Sequence, residues 1–250
     1  MNNQTIEHAA AIIAGARRLV VTTGAGMSRE CGIPTFREAP SALWENYDPA
    51  DLATPEGFQK DPAMVWKWYA ARRETIAKVA PHPGHFSLAE LEQMDWDDYL
   101  LITQNIDNLH RVAGSSALVE IHGNIFLFKC FDNNHPVPTL PDSDEVPPRC
   151  ECGSPVRPDV VWFGEMLPYD GLRRADAAIS ACDTMLVVGT SGTVYPVAEF
   201  PALARTAGAR VIEVNPERTP ITGLTEVYVE GTAGEAIPAL VEAVRRKRAG

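Results

Sequence analysis

Apolar residues in this chain fall into short strand-length runs, and between them lie stretches whose apolar positions recur every three or four residues. The run Leu19-Val20-Val21-Thr22-Thr23 predicts a buried strand, and Tyr99-Leu100-Leu101-Ile102-Thr103-Gln104 predicts the next. Further strands are expected at Leu118-Val119-Glu120-Ile121, Thr184-Met185-Leu186-Val187-Val188, Arg210-Val211-Ile212-Glu213-Val214 and Val227-Tyr228-Val229. Helices are expected between them, near residues 105–113, 169–181, 196–206 and 234–248. Another precedes the first strand, where Ile6, Ala9, Ala10 and Ile13 share a face and Gly15 closes the helix. Such alternation implies an α/β fold, a Rossmann-like doubly wound parallel sheet with helices on both faces. Ligands of these sheets bind beyond the carboxyl ends of the strands, where Gly24, Gln104, Gly189, Asn215 and Gly231 all fall.

Two stretches break the alternation. Residues 34–83 read as helical, with starts at Thr54-Pro55 and Asp61-Pro62, each a capping oxygen before a proline, the second opening a helix to about Val79. Pro81-His82-Pro83-Gly84 interrupts the chain before a helix over about His85–Met94. Residues 124–159 are proline-rich and carry Cys130, Cys150 and Cys152. We expect one domain in two lobes: a large lobe from about residues 1–33, 84–123 and 160–250, and a smaller inserted lobe from 34–83 and 124–159, combining a helical module with a zinc-binding one.

Composition narrows the partners. A net charge of −11 argues against nucleic acid and is compatible with basic, lysine-rich peptides, which an acidic surface attracts. No apolar run approaches the roughly 20 residues of a membrane span, and the first residues lack a signal-peptide pattern, so a cytoplasmic protein without membrane contact is expected. Five cysteines, three of them in one region, fit a metal site better than a disulfide framework.

Three segments carry chemistry. Gly24-Ala25-Gly26-Met27-Ser28 follows the first strand, as a phosphate-binding turn would, although two glycines in a tight turn need no ligand. Gln104-Asn105-Ile106-Asp107 places amides and a carboxylate at a strand end, suited to a ribose and a carboxamide, or to helix capping. His122-Gly123-Asn124 puts a histidine at the next strand end, where either a general base or a hydrogen-bonded core histidine would stand.

Together with Gly32-Ile33-Pro34-Thr35-Phe36-Arg37, Arg157-Pro158-Asp159-Val160-Val161-Trp162-Phe163-Gly164-Glu165, Gly189-Thr190-Ser191 and Val194-Tyr195-Pro196, these segments resemble the sirtuin family of NAD-dependent protein lysine deacylases over about residues 15–235. The resemblance implies a cleft between a nucleotide-binding sheet and a zinc-bearing lobe, taking NAD and an acyl-lysine protein or peptide. Carried over by motif, Gly24, Ala25, Gly26 and Ser28 hold phosphates, and Phe36 and Arg37 lie over the cofactor. Gln104, Asn105 and Asp107 fix ribose and nicotinamide, Gly189, Ser191 and Asn215 line the adenosine half, and Thr190, Thr232 and Ala233 also bind the cofactor. His122 is the implied general base, with Asn105 and Asp107 beside it; nicotinamide and O-acyl-ADP-ribose are the products. Val161, Trp162, Phe163, Gly164 and Glu165, with Tyr195, would hold the peptide, the former as an added strand. The zinc motif departs from the family's two Cys-x-x-Cys pairs: Asn133 follows Cys130 by three, and Arg149 stands where a cysteine is expected before Cys150-Glu151-Cys152. Cys130, Cys150 and Cys152 remain as ligands of a structural zinc, with His135 or a water as fourth.

The helix from about Asp61 carries Val65, Tyr69, Ile76 and Val79 along one stripe, and the same stripe passes through Arg72. A guanidinium there needs an anion, either an internal carboxylate or a ligand. Tyr69-Ala70-Ala71-Arg72, with the small Ala53, also resembles the sirtuin subgroup that removes succinyl and malonyl groups, so those acyl groups are expected alongside acetyl. The competing expectations are an NAD hydrolase or ADP-ribosyltransferase on the same pocket, and a non-catalytic nucleotide sensor. A monomer is expected.

Overall fold

Six parallel strands form the central sheet: β1 (Arg18–Thr23), β2 (Asp98–Thr103), β3 (Leu118–Glu120), β6 (Thr184–Val188), β7 (Arg210–Asn215) and β8 (Val227–Glu230). The computed structural model describes residues 2–33 and 49–249. Spatial order is β3-β2-β1-β6-β7-β8, so the chain winds outward from β1 in one direction, then returns to β6 and winds in the other. That is the doubly wound order, whose switch point lies between β1 and β6. β1 and β2 are buried at every position after the first, and β6 throughout, as expected for strands covered on both faces.

Helices α1 (Asn3–Ala14), α5 (Pro83–Glu92) and α9 (Ala233–Ala249) cover one face, joining Ile13, Leu19, Val21, Leu88, Leu101, Leu186 and Leu240 in one apolar cluster. Helices α7 (Tyr169–Ala181) and α8 (Phe200–Thr206) cover the other, around Val20, Ile102, Ile179, Val187 and Phe200. A third cluster is separate: Leu52, Phe58, Val65, Trp68, Tyr69 and Ile76 from α2 (Pro49–Leu52), α3 (Pro55–Lys60) and α4 (Pro62–Ile76) pack with Ile125, Val160 and Trp162. Thr54 and Asp61 cap α3 and α4 through bonds to the Gly57 and Met64 N–H groups, as the capping pattern predicts.

Three expectations need correcting. The helix expected over residues 105–113 is a single turn, α6 (Leu109–Val112). Asn108 adopts the left-handed conformation (φ 68°) and the Asp107 carboxylate accepts from the Leu109 N–H, so residues 104–108 form a loop beyond the carboxyl end of β2. The helix expected to run to Val79 ends at Ile76. Residues 123–160 also contain an antiparallel pair, β4 (Gly123–Cys130) and β5 (Val156–Val160), absent from the sequence reading. Pro158 inside β5 and a register shift between Asn124 and Phe128 disguise it.

Candidate functional site

The strand ends at the switch point are packed backbone to backbone. The Gly26 N–H donates to the Gly189 carbonyl at 2.8 Å, and a Cβ on Gly26 would sit 2.7 Å from that same oxygen. Only glycine permits this closeness, which leaves the Gly24–Ser28 turn open toward the crevice. Gln104 donates to the Thr190 hydroxyl at 3.0 Å, and Asn215 to the Thr190 carbonyl at 2.8 Å, so β2, β6 and β7 are tied at their carboxyl ends. Asn105 donates to the buried Ser28 hydroxyl at 3.0 Å. Burial pushes the Asp107 carboxyl up, opposed by hydrogen bonds from Ser28 and the Leu109 N–H and by the Arg72 charge. Thr232, just before α9, is bound by Glu30, whose carboxylate accepts from the Thr232 hydroxyl at 2.9 Å and the Gly234 N–H at 2.6 Å. Phe36 and Arg37 lie outside the described residues.

His122 sits where β3 turns into β4. Its Nδ1 is 3.1 Å from the Gln104 carbonyl, which selects the Nδ1–H tautomer and leaves Nε2 with its lone pair. Burial holds its pKa below the ordinary histidine range, partly offset by that bond to Gln104. The imidazole is therefore neutral at pH 7 and able to accept a proton. Its backbone carbonyl accepts from the Val161 N–H at 2.9 Å, and the Ile125 N–H donates to the Ile106 carbonyl at 2.9 Å, so base, amide loop and groove segment are held as one unit. Asn124, also buried, reinforces this by donating to Asn108 at 2.9 Å and Glu120 at 2.7 Å.

The segment expected to pair with the peptide backbone forms a turn beyond the end of β5. β5 ends at Val160, and the Glu165 N–H closes onto the Trp162 carbonyl at 3.1 Å, with Gly164 at φ 86°. The Phe163 N–H donates to the Ala53 carbonyl at 2.9 Å, so the acyl-side residue Ala53 is bonded to the groove. Phe163 and Tyr195 are exposed, whereas the Trp162 side chain is buried in the small cluster. Arg157, buried against the Trp162 ring with its guanidinium 3.2 Å from the ring centre, pairs with Glu165 and braces this turn.

Tyr69 and Arg72 lie on α4 as the stripe predicts. The Tyr69 hydroxyl accepts from the Trp162 indole N–H at 2.9 Å, and burial pushes its pKa up to about 12. Arg72 is half-buried, has no ion pair among the described residues, and its Nε has no hydrogen-bond partner. Burial lowers its pKa, and the oxygens that oppose this are those of Tyr69 and Asp107. Among the described residues, Arg72 makes no internal salt bridge of the kind the sequence left open.

In the small lobe, Cys130, His135, Cys150 and Cys152 bring their ligand atoms within 4.8 Å of one another. The sulfurs of Cys150 and Cys152 are 3.1 Å apart and those of Cys130 and Cys152 3.6 Å, close to the roughly 3.8 Å edge of a tetrahedron with zinc–sulfur bonds of about 2.3 Å. His135 therefore completes a Cys3His set. The two positions where the family pattern has cysteines do other work. Asn133 donates its backbone N–H to Cys130 and its amide to Cys152, each at 3.3 Å, and Arg149 closes the knuckle by donating to the Gly153 carbonyl at 2.8 Å. A second group, Cys31, His82 and His85, is also close-set. It is a structural knot, since His82 Nδ1 accepts from the Gly84 N–H and Nε2 donates to the Met27 carbonyl, leaving it no free lone pair for a metal.

The model of the Sir2 family matches residues 24–196. NAD-dependent protein deacylase 2 of Pyrobaculum aerophilum is 50% identical over 94% of each chain, and the NAD-dependent protein deacylase of Thermococcus kodakarensis 47% identical over 95% of each. The chain belongs to the Sir2 family. Among solved structures, a Sir2 homologue in complex with NAD superposes with a TM-score of 0.87 at 41% identity, covering 98% of this chain and 94% of that one. Sir2Af2 bound to a myristoylated histone peptide superposes at 0.78 with 36% identity, covering 99% of both chains.

In Sir2 terms, the polar groups at the strand ends, His122 and the 161–165 turn are tied together at the carboxyl end of the sheet, and the bond from Trp162 to Tyr69 joins α4 to them. Sequence reasoning named Trp162 and Glu165 only as peptide-holding residues and missed the Trp162–Tyr69 bond, the Arg157–Glu165 pair and the Asn108–Asn124 bridge. Of these, only the bridge left a trace, since an asparagine tolerates the left-handed turn.

Proposed function

We propose that this Sir2 protein is an NAD-dependent protein lysine deacylase whose preferred substrates are succinyl- and malonyl-lysine, with acetyl-lysine also accepted, and that it acts as a cytoplasmic monomer. The observation that carries the acyl preference is Arg72, a half-buried guanidinium without an ion pair among the described residues, beside a neutral phenol. Two donors without an acceptor suit a carboxylate better than a methyl group.

The residues present fit NAD: a glycine turn closed on Gly189, a buried Ser28 hydroxyl, and Gln104, Asn105 and Asp107 at the neighbouring strand end. When bound, NAD supplies a ribosyl carbon that accepts the acyl oxygen as nicotinamide departs. Asn105 and Asp107 orient the reacting ribose and carboxamide. His122 Nε2 takes the proton of a ribose hydroxyl, and the neutral state of the ring makes it competent to do so at pH 7. The 161–165 turn holds the peptide backbone, and Ala53, bonded to that turn, leaves room for the acyl chain. Cys130, His135, Cys150 and Cys152 hold a structural zinc, away from the reacting atoms, that fixes the small lobe.

The test is nicotinamide release with NAD alone and with acyl-lysine peptide. A deacylase releases nicotinamide in proportion to peptide and yields O-acyl-ADP-ribose; release at the same rate without peptide would mean an NAD hydrolase.

A further inference from the structure

The indole of Trp162 is among the largest fully buried side chains of the protein, yet its backbone belongs to the turn expected to meet the substrate. The chain carries that side chain inward, between Phe58 and Tyr69, with ring centres 5.3 Å and 6.2 Å away. Its one N–H is donated to the Tyr69 oxygen at 2.9 Å. This bond constrains a hydrogen elsewhere. A phenol hydrogen lies in the ring plane in one of two positions, and an oxygen that accepts a bond on one side directs its own O–H to the other. The Tyr69 hydroxyl donates to no group among the described residues, and its high pKa keeps the hydrogen in place at neutral pH.

We propose that Trp162 is a positioning residue for acyl selection: its N–H fixes the Tyr69 O–H as a donor that acts together with Arg72 on the anionic end of an acyl-lysine. This rests on the carboxylate-accepting reading of Tyr69 and Arg72. Without the indole bond, the phenol can rotate its hydrogen and offer a lone pair to the same ligand, which an anion tolerates poorly and a methyl group ignores. The Arg157 guanidinium over the indole and the Arg157–Glu165 pair, with Glu165 also accepting from the Trp162 backbone N–H at 2.8 Å, hold the ring and its turn in place. Peptide groove and acyl donor are thereby fixed by one residue.

The test is the ratio of kcat/KM for succinyl- and acetyl-lysine versions of one peptide, in which effects common to both substrates cancel. It is measured in wild type, Arg72→Met, Trp162→Phe, Tyr69→Phe and the Trp162→Phe/Tyr69→Phe pair. We expect Trp162→Phe to lower the ratio roughly three- to tenfold, the worth of one oriented hydrogen bond. The paired variant should match Tyr69→Phe alone, because the indole has no further route to the ratio. Should Trp162→Phe fold poorly, benzothienylalanine at 162 keeps the bicyclic shape and lacks the N–H, and the same fall is expected. A wild-type preference for succinyl that Arg72→Met removes and Trp162→Phe leaves intact would overturn the positioning role alone. A wild type that favours acetyl-lysine would overturn the substrate reading and this role with it.

Discussion

Replacing Arg72 with methionine separates substrate recognition from fold. Methionine keeps an unbranched stem of similar length, so packing against Trp68, whose ring centre lies 5.4 Å from the guanidinium, is largely retained. What disappears is a cation without an ion pair among the described residues. A hydrogen bond to a charged group contributes about 1.5–3 kcal/mol, which is roughly ten- to a hundredfold in kcat/KM for each bond made to an acyl carboxylate. Deacetylation should change little, since Asp107 keeps its bonds from Ser28 and the Leu109 N–H. Stability supplies an independent sign: losing one partner of a buried ion pair typically costs about 3–5 kcal/mol, whereas losing a desolvated, unpaired cation is neutral or stabilising. The assay compares succinyl-, malonyl- and acetyl-lysine versions of one peptide in wild type and variant, alongside thermal melts. An unchanged succinyl-to-acetyl ratio would refute the assignment of Arg72. A melting temperature lowered by many degrees would refute the claim that it has no ion pair among the described residues.

Other outcomes follow from the same geometry. His122→Ala should reduce deacylation roughly 10²- to 10⁴-fold, and because burial lowers the pKa of His122, the acid limb of the wild-type pH profile should fall below the ordinary histidine value of about 6.5. Stripping zinc with a chelator should lower the melting temperature and loosen the small lobe, as should Cys150→Ser, whereas protein purified metal-free with unchanged stability would remove the structural role. The buried His85 and His110, held down to about 2 and about 3 by burial, bind protons only when unfolded. Their contribution is complete above about pH 6.5 and is lost as pH falls, each with a slope of about 1.4 kcal/mol per pH unit, which denaturant titrations at several pH values can read. Gly26→Ala should weaken NAD binding measured by calorimetry, because its new methyl group would meet the Gly189 backbone at 2.7 Å.

Periodicity made most of the sheet legible, because strands buried on both faces appear as unbroken apolar runs and their glycine and amide ends mark the crevice. Local sequence could not reveal interactions that depend on distant residues. Whether Arg72 met an internal carboxylate depended on where α4 docked, and the partner of Tyr69 proved to be an indole 93 positions away. The zinc ligands show the same limit: three cysteines were visible, but His135 competed with water until the chain brought its ring within 4.0 Å of the Cys150 sulfur. Residues 105–108 misled because Asn105 and Asp107 are good helix caps, while the left-handed Asn108 delays the helix to a single turn. The β4–β5 pair was hidden by a proline and a bulge, features that an edge strand accommodates and a periodicity search rejects.

The most direct measurement of the central claim is the specificity of the wild-type enzyme itself: kcat/KM for succinyl-, malonyl- and acetyl-lysine versions of one peptide with NAD, following deacylated peptide and O-acyl-ADP-ribose together. The account predicts NAD-dependent turnover of all three, equimolar products, and succinyl and malonyl ahead of acetyl by roughly ten- to a hundredfold. An enzyme that handles acetyl-lysine far better than succinyl-lysine would contradict it.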